Sequence, residues 1–126
     1  MMTSFAVTAH DVGAGRIWLA VSGEIDQDTG GEFADLIASV AGQDGVTEVI
    51  VDLEHVIFLA AAGIRALLRG RAAASAAGRV FWVVNAGGIV RRVLEIGGVL
   101  DVLGAATTAV RPARPLRPDP PAPASA

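Results

Sequence analysis

Apolar and polar positions alternate at the start of the chain, then shift to a helical period, and later give way to two unbroken apolar runs. Phe5, Val7 and Ala9 alternate with Ala6 and Thr8, Val12-Gly-Ala-Gly15 supplies a turn, and Ile17, Leu19 and Val21 resume the alternation. This predicts a β-hairpin with one buried face. Thr29-Gly-Gly-Glu32 has the spacing of a capping box and predicts a helix opening there. Phe33, Leu36, Ile37 and Val40 then fall on one helical stripe, and Gly42 supplies the stop.

Val49-Ile50-Val51 and Val80-Phe-Trp-Val-Val84 are continuous apolar runs. Strands of that kind are usually covered on both faces, as in parallel sheets with helices packed on them. A second helix is expected from about Ala61 to Ala77, ended by Gly78. A third fits Ile89 to Ile96, with Val90, Val93 and Leu94 inward, Arg91 and Arg92 outward, and Gly97-Gly98 as its stop. Val99 to Leu103 forms a last short strand in this reading. The order ββαβαβα(β) predicts an α/β fold: a mixed sheet of four to five strands with helical cover.

Composition narrows the class. The chain has 126 residues, enough for one domain with a single core. All six prolines lie between Pro112 and Pro123, so a domain over 1–110 is expected to give way to a Pro-rich, polyproline-like tail over 111–126. That tail carries three Arg and one Asp, against seven Arg and twelve acids in the rest. The net charge of −3 has the wrong sign for a nucleic-acid-coating protein. Without cysteine there are no disulfides or thiolate metal sites, and His10 and His55 are too few for a His-based cluster. No apolar run nears the roughly 20 residues of a membrane helix, so no membrane insertion is expected. No basic cluster precedes an apolar run at the N-terminus, and the expected location is the cytoplasm.

The junction between residues 52 and 69 is the most informative stretch. A strand is expected to end at Asp52, a short connection to follow, and a helix to begin near Ala60. A helix start exposes N–H groups and partial positive charge, which suits an anion or a side chain that becomes one. At 100° per residue, Ile64, Leu67, Leu68, Ala74 and Ser75 share a face assigned to the sheet, where Arg71 also falls. Ala62, Arg65, Ala66, Arg69 and Ala73 lie opposite. This outer strip of Ala with two Arg reads either as a close-approach docking face or as helix propensity plus solubility.

Three stretches together resemble the STAS domain family, and within it the anti-sigma factor antagonists. They are Ser22-Gly-Glu-Ile-Asp26, Val51-Asp-Leu53 with Phe58-Leu-Ala-Ala-Ala-Gly-Ile64, and Val90-Arg-Arg-Val-Leu-Glu-Ile-Gly-Gly-Val-Leu-Asp101. The resemblance runs from about Phe5 to Leu103. It implies a protein whose helix-start hydroxyl is phosphorylated by a kinase-fold anti-sigma factor, the added charge ending the contact. Such antagonists have Asp-Ser-Ser-Gly or Asp-Ser-Thr-Gly at that point. Here Ala60 stands at the Asp position, Ala61 and Ala62 at the two hydroxyl positions, and Gly63 is retained. No Ser or Thr lies between Thr47 and Ser75. Loss of the switch leaves two outcomes open: a permanently binding antagonist, or a protein with another partner.

Other candidates carry less. Glu24, Asp26 and Asp28 lack the remaining oxygens of a calcium loop, so a solvated or capping role is expected, with Asp26 the closest to the family's interaction surface. His55 has no adjacent nucleophile, so it reads as structural. Trp18 and Trp82 read as packing within strands, and Asn85-Ala-Gly-Gly88 lacks a nucleotide-binding pattern. The expectation is therefore a non-enzymatic regulatory protein without cofactor or metal. Its partner would be an anti-sigma factor or another regulatory protein, with a weak homodimer left open. The partner surface would comprise Asp26, Ala62, Gly63, Arg65, Ala66 and Arg69. The alternative is a STAS subunit of a transport ATPase or a stress-signalling scaffold.

Overall fold

The structure is a computed structural model that describes residues 5–103. The expected boundary near residue 110 and the Pro-rich tail lie outside the described residues.

The hairpin forms as its alternation predicts. Strand β1 (Ala6–Asp11) runs antiparallel to β2 (Arg16–Ile25). Between them Gly13, Ala14 and Gly15 all take positive φ, which two glycines make cheap. Helix α1 (Gln27–Ala41) follows, then β3 (Glu48–Leu59), α2 (Ala61–Ala76), β4 (Val80–Val84) and α3 (Gly88–Ile96). The four strands lie in sequence order, with β2, β3 and β4 parallel to one another. The last short strand is not formed. Residues 101–103 are a turn: the Leu103 N–H donates to the Val99 carbonyl at 3.0 Å, and the Leu103 carbonyl accepts a single bond from β4, from the Val83 N–H at 3.2 Å.

Helix α1 begins two residues before the expected box. Asp26 is its N-cap: Oδ1 accepts from the Asp28 and Thr29 N–H groups at 2.9 and 3.1 Å, and Thr29 Oγ1 accepts from the Asp26 N–H at 3.0 Å. The reciprocal box is thus Asp26 with Thr29, because the carboxylate satisfies two orphan amides at once. Phe33, Ile37 and Val40 are buried as the stripe requires, and Phe5 meets Phe33 edge to face at 5.8 Å.

The three helices among the described residues contribute to one core, on one face of the sheet. Phe33, Ile37, Leu67, Ala74, Val90 and Leu94 pack there against Leu19, Val21, Val49, Val51, Leu53 and Val83. The opposite face carries a separate cluster of Trp18, Ile50 and Val84, with Val12, Ala20 and Trp82 beside it and no described helical residue. Cover on both faces was expected from the unbroken runs. Topology decides otherwise: β2, β3 and β4 advance in one direction, and two successive right-handed crossovers then place both helices on the same side.

Strand β3 also runs seven residues past its expected end. Its pairing with β2 steps from Ala20↔Asp52 to Ser22↔His55, and from Gly23↔Val56 to Glu24↔Phe58. An extra β3 residue is accommodated at each step, as in β-bulges. Burial then recurs at Leu53, Val56 and Leu59, every third residue rather than every second. That lost alternation is why Glu54-His55 reads as a loop in the sequence.

Candidate functional site

Two helix starts lie side by side at the carboxyl ends of adjacent parallel strands. Helix α1 leaves β2 at Asp26, and α2 leaves β3 at Ala60, whose N–H donates to the Ile25 carbonyl at 3.0 Å. They approach so closely that a Cβ on Gly30 would stand 3.1 Å from the Ala62 carbonyl oxygen and 3.6 Å from the Ala66 Cβ. The carboxyl end of parallel strands is where open α/β sheets place their sites.

The two starts differ in chemistry. Helix α1 is closed by its Asp26–Thr29 box. Helix α2 has the extended cap geometry at Ala60 (φ −88°, ψ 173°), but no side chain caps it and its first turn holds no acid. The backbone is shaped for a capping residue that the sequence lacks. Ala60→Asp is therefore expected to stabilise the fold by about 1 kcal/mol, read as a melting temperature roughly 4–8 °C higher.

Of the expected surface residues, Asp26 and Ala62 lie at these two helix starts, beside Ala61 of the lost phosphorylation position, and Arg65 and Arg69 follow on the exposed side of α2. Gly63 and Ala66 do not belong to that surface. Ala66 is 1% exposed, facing α1, and a Cβ on Gly63 would lie 2.7 Å from the Ile25 carbonyl oxygen. The outer face is rotated from the expected one: Ala61, Arg65, Arg69, Ala72 and Ala76 are exposed, as are Arg71 and Ser75, which had been assigned inward. Gly63, Ala66 and Gly70 form the seam with α1 and β2, where small residues allow close backbone approach. A helical wheel weighted by hydrophobicity cannot see a seam made of glycine and alanine.

Sequence reasoning missed Ile57 and Phe58 as surface residues. They are 62% and 45% exposed at the end of β3, directly before the α2 start. Two consecutive large apolar residues in a strand are a usable signal, because they cannot both face one core without a bulge. Glu24 pairs with Phe58 across the strands, and His55 is exposed two residues before Ile57. Ile57 and Phe58 are thus exposed at the end of β3, and Ala61, Arg65 and Arg69 are exposed on the helix that follows.

Asn85 and Asp52 have structural partners. Asp52 is buried, accepting from the Trp18 Nε1–H at 3.1 Å, the Asn85 Nδ2–H at 3.0 Å and the Glu54 N–H at 2.9 Å. Among the described residues no helix is long and apolar enough to cross a membrane.

The sequence of residues 11–104 matches the family described as Mlab, STAS domain. The chain belongs to the STAS family. Among solved structures, an anti-sigma factor antagonist from Mycobacterium paratuberculosis is similar at 27% identity and a TM-score of 0.72, covering 83% of this chain and 87% of that one. The antagonist SpoIIAA in its unphosphorylated form is similar at 22% identity and a TM-score of 0.68, covering 81% and 89%. A STAS domain protein from Planctomyces limnophilus shares the fold at 19% identity, with a TM-score of 0.62 and coverage of 86% and 92%. No curated protein matches the sequence. The mixed four-stranded sheet with its helices is thus the STAS fold of anti-sigma factor antagonists.

Proposed function

We propose that this STAS protein is an anti-sigma factor antagonist-like regulator that acts by protein–protein binding, without phosphorylation at Ala61 or Ala62. The observation that carries the reading is the exposed pair Ile57 and Phe58 beside a helix start that bears no hydroxyl. Exposed apolar side chains of this size, next to small residues that permit close approach, favour a protein partner, and Arg65 and Arg69 can pair with its carboxylates. Asp26 lies at the border of this surface but spends one oxygen on its own helix. Alanine has no oxygen to accept a phosphoryl group, so addition of charge cannot end the contact at this point. The role is binding rather than catalysis, and a kinase-fold anti-sigma factor is the partner that the resemblance favours.

The test is capture of a cognate anti-sigma factor by the native chain and by Phe58→Glu. Loss of a central apolar anchor is expected to weaken capture by about 30-fold or more, corresponding to 2 kcal/mol. Incubation with that kinase and ATP should leave residues 60–63 unmodified. Equal capture by Phe58→Glu would overturn the surface. Ala66→Glu is not a test of it, because a charge there enters the α1–α2 seam and destabilises the fold.

A second reading has the same exposed residues serve a transport ATPase or a stress-signalling scaffold. Co-purification with an ATPase subunit in place of an anti-sigma factor would select it.

A further inference from the structure

Charge is sorted along this chain, and the fold then sets the two signs side by side. Residues 24–54 hold nine acids and no arginine, whereas residues 55–94 hold six arginines and no acid. Asp28, Glu32 and Asp35, spaced i, i+4 and i+7, crown α1, and all three are exposed. Arg65 and Arg69 crown α2 in the same way, with Ala61, Ala72 and Ala76 along the rest of that exposed stripe. The seam sets the level of one helix against the other: Gly30 meets the turn from Ala62 to Ala66, and Gly70 meets Ile37. The two helices therefore run in one direction, with Glu32 level with Arg65 and Asp35 level with Arg69. Packed helices stand about 8–10 Å apart, too far for these rows to pair within the chain. Among the described residues the one ion pair is Arg91 with Glu95, on α3.

We propose that the α1–α2 face binds a second copy of this chain about a two-fold axis parallel to the two helices. Rotation about that axis lays α1 of each copy on α2 of the other. Glu32 then meets Arg65 of the second copy, Asp35 meets its Arg69, and symmetry repeats both pairs. Asp28 comes over the α2 start of the second copy, where no side chain caps the helix and the first turn holds no acid. A carboxylate is favoured at such an end. A two-fold axis running across the helices would set acids on acids and arginines on arginines, so the charge pattern selects one arrangement of the two.

The same pattern favours a second copy over another occupant. An acidic partner would use the α2 row alone and leave the α1 acids facing it, whereas a second copy matches both rows at once. Gly31, Ala61, Ala72 and Ala76 keep the surface between the charges low, so the copies can approach closely. Each helix is about 22–24 Å long and about 10 Å across, so two such pairs face to face bury roughly 900 Å² in total, the size of a weak, exchanging contact. Arg65 and Arg69 also belong to the partner surface proposed above, so the dimer would withhold them from that partner. That consequence rests on the proposed function; the dimer does not.

The test is sedimentation of the full chain at low salt, from about 10 µM to 1 mM. A dimer in exchange with monomer is expected, and it should weaken as salt rises, because exposed charges are screened. Glu32→Arg with Asp35→Arg, or Arg65→Glu with Arg69→Glu, should each weaken dimerisation by about 30-fold or more. All four side chains are exposed, so far-UV circular dichroism should stay native. The chain carrying all four changes has its rows exchanged and should regain the dimer to within about 3-fold. A native chain that remains monomeric over the whole range overturns the proposal. So does a dimer that survives reversal of either row, or one that the fourfold exchange fails to restore.

Discussion

Gly63→Ala is expected to lower the melting temperature by roughly 5–20 °C, the equivalent of about 1–3 kcal/mol of overpacking. The added Cβ would stand 2.7 Å from the Ile25 carbonyl oxygen and 3.1 Å from the Ile25 Cγ2. A backbone oxygen cannot turn aside as a side chain can. That same carbonyl accepts the Ala60 N–H, so moving β2 away would also break the bond that holds the α2 start against the strand. Gly31→Ala is the control. It lies in α1 with nothing within 4 Å of its added Cβ, and it should raise stability by about 0.5–1 kcal/mol, as alanine does in an exposed helix. Equal thermal scans for native and Gly63→Ala protein would show that the strand–helix junction is looser than its geometry.

Asp52→Ala is expected to cost about 2–4 kcal/mol, because it strips an acceptor from three donors at once in a buried setting. The Trp18 indole, the Asn85 amide and the Glu54 N–H all converge on this carboxylate. Denaturant unfolding would show it as a lower midpoint at unchanged slope, the mark of a stability change without altered compactness. Asp52→Asn keeps one carbonyl oxygen and should retain a substantial part of the stability. If the two variants fell equally, the charge of Asp52 rather than its two acceptor oxygens would be the property that matters. Tryptophan emission should report the alanine variant directly, since the Trp18 indole N–H loses its bond to the Asp52 carboxylate.

The fold was legible where burial and period agree. Phe5, Val7, Leu19 and Val21 alternate on a hairpin, Phe33, Ile37 and Val40 recur at helical spacing, and both patterns come from side chains that lie on one side of an element. The site was legible in part. Asp26 and the run Ala60-Ala-Ala-Gly63 stand at one end of the sheet, and Arg65 and Arg69 face outward. Ile57 and Phe58 were hidden because two bulges put them out of phase, and Ala66 was misassigned because alanine suits solvent and a tight helix seam equally well.

What the chain's own letters determine is local: which segments are strands or helices, where Gly78 and the Gly97-Gly98 pair end two helices, and the absence of any side-chain oxygen at residues 60–62. These depend on backbone geometry and side-chain chemistry, which a residue carries with it. Only the tertiary structure decides that α1 and α2 share one sheet face, that Gly63, Ala66 and Gly70 form a seam, and that Trp18, Ile50 and Trp82 align across strands. Those depend on crossover handedness and strand register. Both arise between segments distant in sequence, and no periodicity within one segment encodes them.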